Sequence, residues 1–202
     1  IAFAKEFGYA IKLLGIAKSQ NTDVEIRVHP TLVPKNRLVA NVDGAMNAVL
    51  VHGNMVGPTL YYGAGAGAEP TASAVVADVI DIARQTKLSQ DTLIPSLGFM
   101  PDKINEKNIL SIENIFSEYY LRFTMKNQAG LLAKITNIFA DHDISINSMV
   151  HKEVQENNQN PDIFLITSKT KEADIDTIIS EIELLPENIE KVVKIRTEEL
   201  NK

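Results

Sequence analysis

From residue 118 onward the chain reads strand, helix, strand, strand, helix, strand, and few folds accept that order in so short a span. Glu118–Met125 has strand character, Ala129–His142 has helical periodicity, and Ile144–Lys152 and Asp162–Ser168 are two further strands. Ala173–Leu185 is the second helix and Glu190–Arg196 the last strand. Each helix offers one apolar stripe and each strand one apolar face. An antiparallel sheet with both helices on one side satisfies all six, which is a ferredoxin-like βαββαβ plait. The Asn-rich run Gln155–Asn160 is expected to be a solvated hairpin loop between the middle strands.

The upstream half has a different pattern. Ile1–Phe7 reads as a helix closed by Gly8, and a start inside a helix without methionine suggests an upstream part. Tyr9–Ala17 and Val24–Val28 read as a hairpin. The second strand alternates with period two, which predicts one buried face, and Pro30 and Pro34 are expected to end it. Asn47–Val51 and Val56–Tyr62, separated by His52–Met55, form a second hairpin, so this part is expected to be a short, mostly antiparallel sheet. A glycine-rich string follows, then a helix from Pro70 to Gln85. Its residues Ala72, Val75, Val76, Val79, Ile80 and Ala83 share one face, opposite Asp78, Asp81 and Arg84. Residues 86–117 read as an ordered linker in which Leu93, Ile94, Leu97 and Phe99 pack. The expected class is α+β: an incomplete antiparallel sheet with helices over 1–85, the linker, and the plait over 118–202.

Composition removes several kinds of function. A net charge of −6 argues against a broad electrostatic grip on nucleic acid. The absence of cysteine excludes disulfides, thiolate catalysis and Cys-based zinc sites, and four scattered histidines give little support for a metal. The apolar runs are too short to span a bilayer and no basic-then-apolar leader opens the chain, so a soluble cytoplasmic protein with no membrane partner is expected.

Two segments could hold a ligand. In Gly63-Ala-Gly-Ala-Gly67 the loop can bring backbone N–H groups close to a bound group, and the following helix N-terminus favours negative charge. This is not the GxGxxG spacing of a dinucleotide fingerprint, and a tight strand-to-helix turn explains it about equally well. The second segment is Asn127-Gln-Ala-Gly130 with Leu131. Asn127 is expected to cap the helix while N–H groups around Gly130 and Leu131 point outward, which suits the carboxylate of a free amino acid. Ser145 and Asn147, on the next strand, could add hydrogen bonds. From these residues alone, an ordinary N-cap and strand asparagine is the simpler account. His29, His52, His142 and His151 read as structural or solvated, Glu181, Glu183, Glu187 and Glu190 as a solvated helix face and exit, and Asp78 and Asp81 as surface partners of Arg84. No nucleophile–base constellation is present in the sequence pattern.

Several strings together resemble homoserine dehydrogenase: Gly8–Lys18, Val24–Pro34, Asn41–Val49 and Leu60–Asp78, with Tyr119–Phe123 and Ala129–Ile135 resembling the ACT domain that bacterial members carry. The resemblance covers essentially the whole chain, in the family's order. It implies NADP- or NAD-dependent interconversion of L-homoserine and L-aspartate 4-semialdehyde, in threonine, methionine and isoleucine biosynthesis. Residues 1–85 would then be the remainder of the substrate and dimerisation domain together with the return helix of the cofactor domain, and 118–202 the regulatory ACT domain. Gly63, Gly65 and Gly67 would line the cofactor pocket, with Gly67 foremost. Asn127, Gln128, Ala129, Gly130, Leu131 and Asn147 would bind an amino-acid effector, threonine by family expectation. Asn127 stands where such domains commonly have aspartate, and Gln128-Ala129 where a proline-containing pair is usual. A homodimer or tetramer is implied. The family's catalytic lysine and substrate-holding acidic residues match nothing here, so no catalytic residue and no metal ligand is assigned to this chain. The competing reading is a stand-alone amino-acid-binding and dimerisation module, in which the glycine turn is structural.

Overall fold

The computed structural model describes residues 1–20, 22–87, 95, 97–152 and 160–200. Apart from Asn160, the loop expected over Gln155–Asn160 lies outside them, as do Leu93 and Ile94. The chain divides into two compact units, one formed by Ile1–Asn36 with Asn108–Leu200 and the other by Arg37–Lys107.

The first unit is built on one eight-stranded sheet. Its elements are α1 (Ala2–Glu6), β1 (Tyr9–Gln20) and β2 (Asp23–Pro34) from the start of the chain. The elements that follow, β3 (Met46–Gly53), β4 (Gly57–Ala64) and α2 (Ala68–Gln85), belong to the second unit. Then come β5 (Asn108–Ile109), β6 (Phe116–Thr124), α3 (Leu131–Asp141), β7 (Ile146–Lys152), β8 (Asp162–Thr167), β9 (Thr170–Lys171), α4 (Glu172–Glu183) and β10 (Val193–Thr197). The strand order is β1-β2-β10-β6-β8-β7, with β5 beside β2 and β9 beside β6. The last four strands of that path, with α3 and α4, are the expected plait. Its core lies under the helices, where Tyr119, Leu121 and Phe123 of β6 meet Ile135 and Phe139 of α3 and Ile175, Ile178 and Ile182 of α4. These positions follow the period-two and helical spacings that the sequence shows.

The first hairpin does not stop at its prolines and does not form a separate sheet. β2 pairs antiparallel with β1 along its whole length, Tyr9 opposite Pro34 through Gln20 opposite Asp23. On its other edge it meets β5 at Asp23 and Val24 and β10 at Thr31 and Leu32. Pro30 stands in the interval between those two short ladders, where a missing N–H removes no hydrogen bond, and so it does not end the strand. The expected buried face is also inverted. Glu25 and Arg27 are 1% and 5% exposed, whereas Ile26 and Val28 are 52% and 71% exposed. The charges are tolerated inside because they are paired with each other and with Glu198.

Across the sheet from α3 and α4 lies a second, smaller core. The apolar residues of α1 and the start of β1 cover Phe164, Tyr120 and Leu32. The rings of Phe3 and Phe7 stand 4.2 and 5.8 Å from that of Phe164. Lys152 closes the edge of this patch with an ion pair to Glu6 and a cation–π contact to Phe3 at 5.6 Å.

The second unit holds the expected second hairpin, β3 (Met46–Gly53) and β4 (Gly57–Ala64), as a two-stranded sheet of its own, followed by α2 (Ala68–Gln85). The helix confirms its periodicity, yet none of its residues is buried; Val75, Val76 and Val79 are all more than half exposed. Leu97 and Phe99, expected to pack, are exposed as well. By contrast, Ile115 from the same expected linker is buried, and β5 pairs with β2.

Candidate functional site

The glycine segment ends β4 and opens α2, and its three glycines have different reasons to be glycine. Gly63 pairs with Asn47 in the β3–β4 ladder, and a Cβ there would meet open space. A Cβ on Gly65 would stand 1.7 Å from Asn47 Nδ2, so that position is closed to any side chain while Asn47 keeps its place. The Gly65 N–H donates to the Ala45 carbonyl at 3.0 Å. Gly67 is the N-cap of α2 with φ 131° and ψ 153°, a conformation essentially restricted to glycine. No side chain caps α2, so its first-turn N–H groups are not satisfied from within the helix by a cap residue. A strand-to-helix turn with free amide donors and no side chain at its apex fits an anionic group such as a dinucleotide phosphate. At Gly65 the need for glycine has an internal cause, the place of Asn47.

The second candidate, after β6, is exposed from Lys126 to Gly130. Asn127 does not cap the helix. Gly130 is the N-cap, with φ 84°, and no side-chain hydrogen bond closes the first turn of α3. The left-handed turn at Gly130 lets the chain enter the helix three residues later than an Asn127 cap would require. The Leu131 N–H bonds to the Gln128 carbonyl and the Lys134 N–H to the Gly130 carbonyl. The base of the loop is held firmly. The Lys126 N–H donates to the Glu187 carbonyl at 2.8 Å, and the Ile189 N–H to the Thr124 carbonyl at 3.0 Å. Lys126 Nζ reaches the Pro186 carbonyl at 3.1 Å, and Lys134 forms an ion pair with Glu187. Glu187, expected in a solvated face, is therefore buried. Lys134 first, with its own backbone, holds its carboxyl below the usual range.

Asn147 is not brought to this loop within one chain. The β7–β8 register slips between Ile146 and Ser148, so Asn147 sits at a bulge, and its Nδ2 donates to the Thr167 carbonyl at 3.2 Å. Thr167 ends β8, whereas Thr124, just before the loop, pairs with Asp162 at the start of β8. Five residues of strand separate the two levels, roughly 16 Å.

Sequence reasoning missed the most heavily bonded group of the unit. Glu172 opens α4 and is 2% exposed. It accepts from Tyr119 Oη at 2.7 Å, Arg196 Nε at 2.7 Å and Lys194 Nζ at 2.6 Å. Burial pushes its carboxyl up, but the donors from Arg196, Lys194 and Tyr119 outweigh it and hold the group below the usual carboxylate range. Burial first, then Glu172, pushes the Tyr119 phenol far up. Every acceptor lobe faces a donor of the protein, so the cluster ties β6, α4 and β10 together. The alternation Lys194-Ile-Arg196 was its one sequence signal.

His29 is held by Thr31, whose Oγ1 lies 3.1 Å from Nδ1, and burial lowers its pKa; this agrees with a structural histidine. Among the described residues no group of His, Asp and Glu side chains could hold a metal ion, and no helix is long and apolar enough to cross a membrane.

Comparison with known proteins assigns the two halves separately. Residues 1–80 match the family described as homoserine dehydrogenase, and residues 119–187 match the ACT domain. The homoserine dehydrogenase of Pseudomonas aeruginosa is 44% identical over 201 residues, covering 100% of this chain and 46% of its own length. That of Neisseria gonorrhoeae is 45% identical with the same coverage. The crystal structure of a homoserine dehydrogenase from Thiobacillus denitrificans superposes with a TM-score of 0.90 at 50% identity, over 100% of this chain and 45% of that one. The chain thus spans a little under half the length of these relatives.

Proposed function

We infer, from a chain that belongs to the homoserine dehydrogenase family and carries an ACT domain, that it is the regulatory end of an enzyme interconverting L-homoserine and L-aspartate 4-semialdehyde. The observation that carries this reading is the pairing of the two family matches along one chain, in that order, with relatives at 44–45% identity across its whole length. Such an enzyme serves threonine, methionine and isoleucine synthesis and works in the cytoplasm. The nicotinamide of NAD or NADP supplies or accepts the hydride when bound. In this chain Gly67, Gly65 and Gly63 form the turn that would hold the cofactor, through the uncapped first turn of α2. The exposed apolar stripe of α2 is the surface expected to meet the remainder of the cofactor domain. No lysine here matches the family's catalytic position, so the chain alone is expected to be inactive.

The exposed loop Asn127–Leu131 is proposed to take the carboxylate of an amino-acid effector, threonine first. The Leu131 N–H is taken by the Gln128 carbonyl, so the N–H groups that follow it in the uncapped first turn of α3 are the donors proposed for the carboxylate. Asn147 completes the site from a second copy. β7 is the last strand of the sheet order, so among the described residues its outer edge has no paired strand. Two β7 strands paired antiparallel about Met149 would set Asn147 of one copy opposite His151 of the other, at the level of that copy's loop. A dimer built in this way makes the effector site and the oligomer one feature.

The enzymatic part is tested with the full-length gene product, by following nicotinamide absorbance with aspartate 4-semialdehyde as substrate; absence of turnover would reject it. The effector part is tested by calorimetry of this chain with threonine, methionine, isoleucine and serine. No heat with any of them counts against an effector site. Mixing Asn147→Ala chains with Gly130→Val chains should restore one of the two sites in each mixed dimer if the two residues act across copies, about a quarter of all sites in a random one-to-one mixture, whereas a site within one chain stays damaged in every mixture.

A further inference from the structure

We propose that β10 is the element through which an effector at the loop acts on the dehydrogenase part, and that the Arg27–Glu198 ion pair is the joint that makes the coupling. The proposal rests on the effector reading above. The segment leading into β10 is fastened to the base of the loop by backbone bonds from Lys126 to Glu187 and from Ile189 to Thr124. Its far end is fastened to β2, with Arg196 beside Thr31, Thr197 beside Leu32, and the Glu198 N–H donating to the Leu32 carbonyl at 2.9 Å. β10 is therefore strung between the candidate effector loop and a strand that belongs to the homoserine dehydrogenase match.

The fastening at the β2 end is electrostatic as well as backbone. Glu198 Oε2 accepts from Arg27 Nη2 at 2.8 Å and from Lys18 Nζ at 2.6 Å, and Arg27 also pairs with Glu25. The Arg27 side chain is 2% exposed and that of Glu198 13%. A pair so sheltered from water depends steeply on separation, because little solvent screens a displaced charge. A small movement of β10 along its axis, set by the loop, therefore strengthens or weakens the hold on β2. Two residues beyond Pro34, the chain passes into the unit that carries the glycine turn. By linkage the effect is reciprocal: the state of β2 alters effector affinity by the same factor.

Hydrogen–deuterium exchange of this chain with and without L-threonine tests the joint, with calorimetry run in parallel. Threonine should change amide exchange in Asp23–Pro34 about fivefold or more, alongside the loop itself. In Glu198→Gln, threonine should still bind, within about twofold, while the change in β2 disappears. Threonine that binds and leaves β2 unchanged overturns the coupling and leaves the effector site standing, as does a full β2 response in Glu198→Gln. No heat from the unaltered chain overturns the effector reading and the coupling together. If Glu198→Gln does not fold, Lys18→Met removes the exposed half of the same joint and should give a smaller loss; an undiminished β2 response there rejects the ionic joint.

Discussion

Arg27 and Glu198 stand 171 positions apart in sequence, yet Arg27 Nη2 donates to Glu198 Oε2 at 2.8 Å inside the first unit. The pair joins the hairpin β1–β2 to the end of β10 and accounts for a strand whose charged residues face inward. Removing one partner of such a pair leaves the other charge buried and unmatched, at a cost of about 3–5 kcal/mol. Arg27→Met should therefore lower the stability of the first unit by that order in chemical denaturation. Lys18→Met, at a side chain 43% exposed, should cost less than about 1 kcal/mol. Equal effects from the two would show that the buried pair has no special weight.

Glu172 sets an acid limit on the same unit. Its donors hold the folded-state carboxyl below the unfolded value of about 4.3. The stability it contributes is then fully present above that value and is lost as pH falls through the folded one. Thermal unfolding between neutral pH and the acid range should show this loss. Glu172→Gln should be less stable at neutral pH by about 3 kcal/mol and should lose less on acidification.

The three glycines of the turn should respond differently to alanine. Gly67→Ala forces a Cβ into a backbone conformation that costs of order 1–3 kcal/mol. Gly65→Ala collides with Asn47, so Asn47→Ala in the same chain should recover most of the loss. Gly63→Ala meets open space and should leave the melting temperature nearly unchanged. In the full-length enzyme, an unaltered cofactor affinity in a folded Gly67→Ala protein would remove the turn from the cofactor site.

Phe164 carries the smaller core, against Phe3, Phe7 and Tyr120. Phe164→Ala should cost about 3–5 kcal/mol and release α1, which proteolysis near residues 1–8 would detect. A stable Phe164→Ala chain with α1 still protected would place the anchoring of α1 in the Lys152–Glu6 pair.

The plait was legible because its signals are local. Periodicity of two and of 3.6 named β6, α3, β7, β8, α4 and β10 to within a few residues, and the residues under the helices follow the same two spacings. Gly67, which opens α2, was legible for the same reason, since its positive φ leaves glycine as the residue of choice, whereas Gly130 was not, because Asn127 was expected to cap α3. The inversion of β2 was not legible. Period two says that two faces differ, but which face is buried depends on what arrives to cover it. In Val24-Glu-Ile-Arg-Val28 the partners are Glu198 and residues 108–110, both remote in sequence. Glu172 and Glu187 were hidden likewise, since a glutamate at a helix start or exit looks solvated until lysine and arginine side chains from other elements meet it.

By itself, then, the sequence determined the α+β class, the order of elements in the plait and the place of the glycine turn before α2, because each is written in short-range spacing, and its longer strings carried the family resemblance. Only the tertiary structure decided that the first hairpin extends the plait's sheet and that its charged face is the buried one. It also decided that Asn147 and the loop before α3 lie at opposite ends of that sheet. These depend on pairing between distant strands, and strand register and burial are set by the partner as much as by the strand.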